Sequence, residues 1–467
     1  MAFQAKKKEE AVFTCKVELL VSALQGSHLD GQSKICSWAR NYLIDEVNQR
    51  MSKLKGTEPL SEEEKERILK TIYTEGGIRD LLPQAKTDHP HLKLVYSSPL
   101  KNVGLNLAKG VKAHQAGRSE WIRRKKWKLH WTTLEYDEVG KGWKVLTFKN
   151  HKELRLSFGT LADGTRLQER IKLGPTSAPL HKAVAVRIVK DLGKYYAVFT
   201  FKKPKAKKKT LGEVPKLAYI DPNSSNFGYL VDTEGKSVEI EHMRERIKSL
   251  CKRLDYVQSL RDKCKRDAKV VEYTREDGSL HRHTEGSLKY KRIDKVMKRL
   301  YAMLREQKKQ YMYALAHRLA AVYDAVGIGN WVPDSTDHQR GSRFNRIFIN
   351  MNLLGQFKTI LKNVFEKSGK AAYEIDEKGT TRTCHACVTV VAGGIPPGVK
   401  RWTCAGCGMV HIRDENAALN GLSRLVEQLG FSHMPRSGHG SQLPCSWRFH
   451  PQVGWTETRA TAPHLEW

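Results

Sequence analysis

Four cysteines toward the C-terminal end carry the most specific chemistry in this chain of 467 residues. Cys384, Cys387, Cys404 and Cys407 read Cys-x2-Cys, sixteen residues, then Cys-x2-Cys. Each pair can present both sulfurs from one tight turn, and Gly408 stands where such a knuckle takes a positive φ. Together they offer the tetrahedral four-thiolate shell of a structural zinc ion. The alternative, two redox-active pairs, calls for thioredoxin-like βα surroundings at each. Four thiolates close the coordination sphere, so zinc here holds its neighbours in place and does no chemistry itself. Seven residues past the last cysteine, Asp414 opens "ENAALNGLSRLVEQLG", where an isolated acid reads either as a helix N-cap or as a catalytic group. Asp221 closes "KLAYID" ahead of "PNSSN", and alone it reads as an ordinary turn residue.

Two stretches suit a polyanion. "WIRRKKWKLHW" alternates cations with tryptophans, which places Arg123, Arg124, Lys125, Lys126, Trp127 and Lys128 as candidates for phosphate contact and base stacking. A strand with a core-facing tryptophan and a solvated basic face fits the same letters. "KYKRIDKVMKRLYAMLREQKK" sets its cations opposite an apolar stripe, as a nucleic-acid-tracking helix or a solvated one would.

The totals agree with such a partner. Lys and Arg number 82 against 50 Asp and Glu, and the resulting +32 is spread along the chain. A surplus of that size self-repels unless phosphates neutralise it. No run of eighteen apolar residues and no signal-peptide pattern occurs, so the sequence predicts a soluble, intracellular protein without a membrane partner. Nine cysteines, five of them scattered, exclude a disulfide scaffold.

The elements that must position these residues fall into several blocks. "VFTCKVELLV" reads as a first strand; residues 33–117 read as helical, with Ser61 capping "EEEKERILKTIY"; and 121–203 read as short alternating strands. A Lys- and Pro-rich linker follows at 204–216. Beyond it come strands at "KLAYID" and "FGYLVD", a long helical hairpin with a β-turn excursion near "YTREDGSLHRH", and a strand–helix–strand crossover from "AVGIGNW" to "AAYEIDE" that implies a parallel sheet. Residues 431–467 lack periodicity and are predicted to form a disordered tail.

"YIDPNSSNFGYLVD", the basic hairpin, "TTRTCHAC", "RWTCAGCGMVH" and "RDENAALN" occur in the order of the motifs of the TnpB family of transposon-encoded RNA-guided nucleases, the compact type V CRISPR effectors and the eukaryotic Fanzor proteins. The chain resembles them over residues 184–425, about half its length. The resemblance implies an α/β RNase H-like (RuvC) nuclease domain at 217–380 and 411–430 with an inserted zinc ribbon at 381–410 that binds target nucleic acid. By architecture more than motif, 1–32 and 118–203 resemble the family's oligonucleotide-binding β-barrel wedge, and 33–117 its helical recognition lobe. It further implies a guide RNA, a target DNA with an adjacent recognition motif, a cytoplasmic protein that joins the nucleoid on its target, and cleavage through two Mg²⁺ ions about 4 Å apart, held by several acids. Asp221 matches the first RuvC acid and Asp414 the third.

The second acid departs from the pattern. Family members carry glutamate in a strand-end pattern like Ile-x-x-Glu-Asp-Leu, and "AVGIGNWVPD" has Gly329 there. Glu377 resembles the relocated glutamate of rearranged TnpB and Fanzor sites. It stands at the end of the neighbouring strand, on the face opposite Glu374 and Asp376, and adjacent parallel strands end about 5 Å apart. Asp376, Asp334 or a dead nuclease are the alternatives. The reading is thus an RNA-guided DNA endonuclease with Asp221, Glu377 and Asp414 holding magnesium. Its rivals are a nuclease-inactive guided regulator on the same fold and a guide-independent transposase or RNA-binding protein.

Overall fold

A computed structural model describes residues 10–56, 59–127, 130–204, 206–207, 209–223, 226–266, 269–274, 280–330, 354–396, 398–431 and 445–459. The chain divides into two units, Met1–Pro204 and Lys205–Trp467.

The first unit opens with β1 (Glu10–Leu20), whose alternating pattern "FTCKVEL" makes it a ladder strand, followed by four helices, α1 (Ala23–Lys55), α2 (Glu62–Tyr73), α3 (Leu82–Asp88) and α4 (Ser97–Gln115). Six more strands follow: β2 (Leu134–Tyr136), β3 (Trp143–Thr147), β4 (Lys152–Thr160), β5 (Arg166–Leu173), β6 (Ala185–Asp191) and β7 (Lys194–Pro204). All seven pair antiparallel, in the order β2-β6-β7-β1-β5-β4-β3. One apolar core joins Leu43 and Val47 of α1 and Val103 and Leu107 of α4 to Leu154, Ile171 and Phe199 of the sheet. Helix begins at Ala23, ten residues ahead of the predicted boundary at 33. Gly26 and Gly31 interrupt the apolar period there. The start is set instead by a capping box, in which Ser22 Oγ accepts from the Gln25 N–H and the Gln25 side chain accepts from the Ser22 N–H.

The second unit contains β8 (Leu217–Pro222), β9 (Gly228–Asp232), β10 (Ser237–Ile240), α5 (Arg244–Arg266), the hairpin β11 (Lys269–Thr274) and β12 (Leu280–Glu285), α6 (Leu288–Val322) and β13 (Ala325–Gly329). It continues through α7 (Leu354–Lys367), β14 (Ala371–Ile375), β15 (Arg401–Thr403), β16 (Val410–Ile412), α8 (Arg413–Gln428), β17 (Cys445–His450) and β18 (Gly454–Arg459). Its main sheet runs β14-β13-β8-β9-β10-β17-β18. β8, β13 and β14 are parallel, and β9 is antiparallel between β8 and β10. The central strands β8, β9 and β13 are buried on both faces, as the middle of a sheet under helices requires. Ala218, Ile220, Val326 and Ile328 face Leu315, Leu319, Phe357 and Leu361 of α6 and α7. Leu217 and Tyr219 point the other way, onto Leu422 and Leu425 of α8. By that alternation Asp221 emerges on the α8 face.

The predicted disordered tail is corrected in part. Among residues 431–467, Cys445–His450 pairs parallel with β10 and Gly454–Arg459 closes a hairpin on it. Trp447, Phe449 and Trp455 are buried in the α6 side of the core, and Tyr311 packs on both Phe449 and Trp455. The alternation in "CSWRFH" is short and sits in Pro-, Ser- and His-rich sequence, and its partner strand lies far upstream. No helix among the described residues is long and apolar enough to cross a membrane.

Candidate active site and metal centre

The four thiols form one cluster in which all ligating atoms lie within 4.8 Å of one another, with Cys384 to Cys407 at 3.7 Å and Cys387 to Cys404 at 3.5 Å. A tetrahedral ion with Zn–S bonds of about 2.3 Å sets its sulfurs about 3.8 Å apart, so the cluster fits structural zinc. The two knuckles repeat each other. Val388 and Gly408 N–H groups donate to the Cys384 and Cys404 carbonyls, and the Cys384 and Cys404 N–H groups donate to Thr389 and Met409. Burial pushes the Cys384 thiol up to about 12, whereas the Thr389 hydroxyl holds Cys387 down near 6. His411, buried, sets Nε2 at 3.1 Å from Cys384 Sγ and packs on His385 and Trp402. The sequence reading passed over His411, although its place just after the second knuckle marks it as a neighbour of the thiolates.

Gly408 has φ 70° and Val388, its counterpart, has φ 64°. A β-branched residue is strained there while glycine is not. Val388→Gly is expected to raise stability by roughly 1 kcal/mol without loss of zinc, measured by thermal melting and metal content.

The carboxylates gather at the C-terminal ends of β8, β13 and β14. Asp221 stands opposite Tyr229 of β9, and Tyr229 stands opposite Glu239 of β10, so all three share one cross-strand row. Gly329, at the end of β13, pairs with Ile375 of β14. A methyl group built on Gly329 would fall on the carboxylate of Glu377, so the Glu377 side chain fills the space a residue at 329 would occupy. Asn330 holds this crossing: its N–H donates to the Ile375 carbonyl and its side-chain oxygen accepts from the Glu377 N–H at 3.4 Å. Burial raises the Asp221 carboxyl well above its ordinary range, and the charges of Glu377 and Asp414 raise it further, with Arg413 opposing. The three acids therefore share one electrostatic site, although they stand further apart than the clustered thiols.

Asp414 is not the helix cap that one reading of the sequence gave. Ile412 holds the cap position, and Asp414 lies in the first turn of α8 with its carboxylate near Asn223 (3.4 Å), Lys400 (3.3 Å) and Arg413 (3.4 Å). The aliphatic cap leaves the acid's side chain available to the site. Burial and the charge of Asp414 raise the Glu239 carboxyl. Glu239 is an acid the sequence reading missed, and the alternation in "SVEI" was its only signal. The strand "AAYEIDE" ends at Ile375, so Asp376 and Glu377 lie just past it. Asp376 is exposed near Asn330, and Glu374 pairs with Lys362 and Lys358 of α7. Asp334 lies outside the described residues.

Buried Asn416 joins the metal centre to the carboxylates. Its amide donates to the carbonyls of Thr380 and Thr383, its oxygen accepts from the His385 N–H, and Asn420 donates to the same two carbonyls. Thr380 in turn donates to the Glu377 carbonyl. The spacing of "NAALN" puts both asparagines on one helix face.

In the first unit, residues 121–126 join no strand. The extended segment lies along α1, where Arg40 donates to the Arg123 carbonyl, Asn41 exchanges two hydrogen bonds with the Lys125 backbone, and Trp121 donates to Asn48. Arg123 and Arg124 stay largely exposed, and Lys125, Lys126 and Trp127 are exposed beside them, with Lys34 over the Trp127 ring. Lys128 lies outside the described residues.

Residues 355–421, which span the ribbon and the start of α8, match the family described as Cas12f1-like, TNB domain. No curated protein matches the chain. Among solved structures the chain is similar to Cas12f1 in a complex with sgRNA and target DNA, at 12% identity, covering 85% of this chain and 82% of that one, with a TM-score of 0.54. It is also similar to the mini RNA-guided endonuclease CRISPR-Cas phi3, at 10% identity over 91% and 93%, with a TM-score of 0.49. The resemblance read from the motifs stands: the chain has the mixed α/β fold of Cas12f1 and carries a Cas12f1-like TNB domain with a four-cysteine cluster suited to zinc.

Proposed function

We propose that the chain is an RNA-guided DNA endonuclease whose Asp221, Glu377 and Asp414 hold magnesium. The observation that carries the reading is the Glu377 carboxylate lying over Gly329, where its charge raises the Asp221 carboxyl, as the charge of Asp414 also does. A glycine at the family's glutamate position favours an inactive regulator, whereas a carboxylate brought to that place from just past the next strand supports the active reading. Five strands in the order β10-β9-β8-β13-β14, the first three antiparallel and the last two parallel to β8, support an RNase H-like domain.

The donors are hard oxygens, which suit Mg²⁺ or Mn²⁺ and not zinc, and the raised Asp221 carboxyl marks a site short of positive charge. When bound, the metal supplies activation of water and charge stabilisation at the leaving oxygen. The protein presents Asp221 from the end of β8, Glu377 from just past β14 and Asp414 from the first turn of α8, with Asn330 fixing Glu377 and Asn416 fixing the turn beside it. We assign 381–410 to a zinc ribbon that binds target nucleic acid, and the first unit to the wedge and recognition lobes. Arg123 to Trp127 there contact nucleic acid.

The reading is tested by purifying the chain, sequencing its bound RNA and incubating the complex with guide-complementary DNA in Mg²⁺. One dominant structured RNA with a variable end is expected, since +32 on one chain needs neutralising. A random mixture of cellular RNA, or intact DNA in both Mg²⁺ and Mn²⁺, would count against it.

A further inference from the structure

Tyr219 stands two residues ahead of Asp221 on the same face of β8 and is fully buried beneath α8. Two glycines make room for its ring. A methyl group built on Gly421, in the interior of α8, would overlap the ring, and one built on Gly327 of β13 would come within 2.9 Å of it. Glycine is a poor residue for a helix interior, so its place at 421 needs such a reason. Gly327 pairs with Tyr219 across the parallel ladder and lies two residues ahead of Gly329, where the Glu377 carboxylate sits. Same-face positions on a strand are about 6.6 Å apart. The two glycines of β13 therefore form one trough, with the Tyr219 ring at one end and the Glu377 carboxylate at the other.

The hydroxyl on that ring does nothing for the core. Among the described residues its oxygen is buried and has no hydrogen-bond partner. A buried hydroxyl left so costs stability, and phenylalanine would fill the same slot without that cost. Its surroundings are those of the site. Burial raises the hydroxyl well above the ordinary tyrosine range, and the charges of Asp221 and Glu377 raise it further, with Arg424 opposing. A phenol meets a carboxylate as a donor, and such a bond to a charged acceptor is a strong one. The ring leans off its own strand onto β13, the strand that carries the Glu377 carboxylate, so Glu377 is the acceptor within its reach.

Building on the nuclease reading, we propose that Tyr219 is a positioning residue for the metal site: its hydroxyl donates to the Glu377 carboxylate in the metal-loaded protein and holds that relocated ligand in place. Asn330 and Thr380 fix the backbone of Glu377, and Tyr219 acts on its side chain. Tyr219 touches neither substrate nor metal.

The test is Mn²⁺ binding to the full guide-loaded complex, read from the loss of the free-ion EPR signal, in wild type and Y219F. Sites that vanish in Asp221→Ala are the ones counted, which sets aside ions held by the RNA. The ring stays in Y219F, so the fold is kept; its melting temperature without added metal should equal or exceed that of wild type, and its zinc content should be unchanged. Mn²⁺ affinity is expected to fall about tenfold, as it does when a group that orients a metal ligand is removed. Equal affinity overturns the inference, and so does weaker affinity joined to a lower metal-free melting temperature, which a packing role alone would give. A wild-type complex without such Mn²⁺ sites refutes the metal reading and this inference with it. A wild-type complex that binds Mn²⁺ there but leaves guided DNA intact refutes the nuclease reading, while the affinity comparison still decides this one. Where wild type cuts, Y219F should cut about tenfold more slowly at limiting Mn²⁺ and within a factor of about two at saturating Mn²⁺.

Discussion

Guided DNA cleavage is expected to fall by roughly a thousandfold in Glu377→Ala, since a carboxylate on a catalytic metal is worth several kcal/mol and each 1.4 kcal/mol is a factor of ten. Asp221→Ala and Asp414→Ala should do the same, with guided binding retained in all three because the heteroduplex is held elsewhere. Glu374→Ala should cut normally, because Glu374 pairs with Lys362 and Lys358 on the α7 side of the strand. Gly329→Ala makes the sharper probe. Its methyl group falls on the Glu377 carboxylate and must displace it, so this small substitution should cost nearly as much activity as removing Glu377. Gly329→Glu in the Glu377→Ala background has the vacated space to enter and should recover part of the rate. A Glu377→Ala complex that cuts as fast as wild type would refute the relocation.

The same site gives a pH-dependent stability effect whose sign is fixed. The Asp221 carboxyl is raised in the fold, so the metal-free fold binds its proton more tightly than the unfolded chain does. The resulting penalty is absent below the ordinary aspartate range near 3.9, grows as pH rises above it, and is complete once pH passes the raised value. Asp221→Asn should therefore melt at a higher temperature than wild type at neutral pH without added metal, and at the same temperature in acid. A thermal scan at two pH values reads it. Activity is lost in the same variant that gains stability.

The second large effect is expected at the cysteine cluster. Cys384→Ser with Cys404→Ser removes one ligand from each knuckle, and structural zinc in such sites contributes about 10–16 kcal/mol. That exceeds or matches the whole stability of an ordinary domain, about 5–15 kcal/mol. Zinc content and the ribbon's fold should be lost together. Cleavage should go with them, because Asn416 and Asn420 need the Thr380 and Thr383 carbonyls in place. Stoichiometric zinc retained in the double variant would defeat the assignment.

How legible these features were in the sequence follows from how local each one is. The thiol spacing, the Ser61 cap and the crossover from β13 to β14 are set by neighbours in the chain, and their residues declare them. Asp414 was found by its motif, but its part in the helix was not. An N-cap acid and an acid in the first turn look alike in one dimension, and only the Ile412 cap separates them. Glu377 was reached through resemblance, whereas the packing that makes it credible, a side chain lying over a glycine of another strand, is wholly tertiary. Glu239 joins Asp221 through two strand registers that no local pattern encodes. The segment at 121–126 looked strand-like because its letters alternate. Without a ladder partner, its backbone hydrogen bonds go to Arg40 and Asn41 instead.

The hairpin β17–β18 bears on how this small chain can be engineered. Trimming at Gly430, which the low periodicity beyond it invites, would strip the flank from β10 and leave a row of open backbone donors and acceptors there. Arg318 would lose the Trp447 ring it stacks on at 4.4 Å, and Tyr311 its aromatic neighbours. A shortened version would be sticky and not merely compact, so a cargo protein is better fused beyond Arg459 than in place of the last strands.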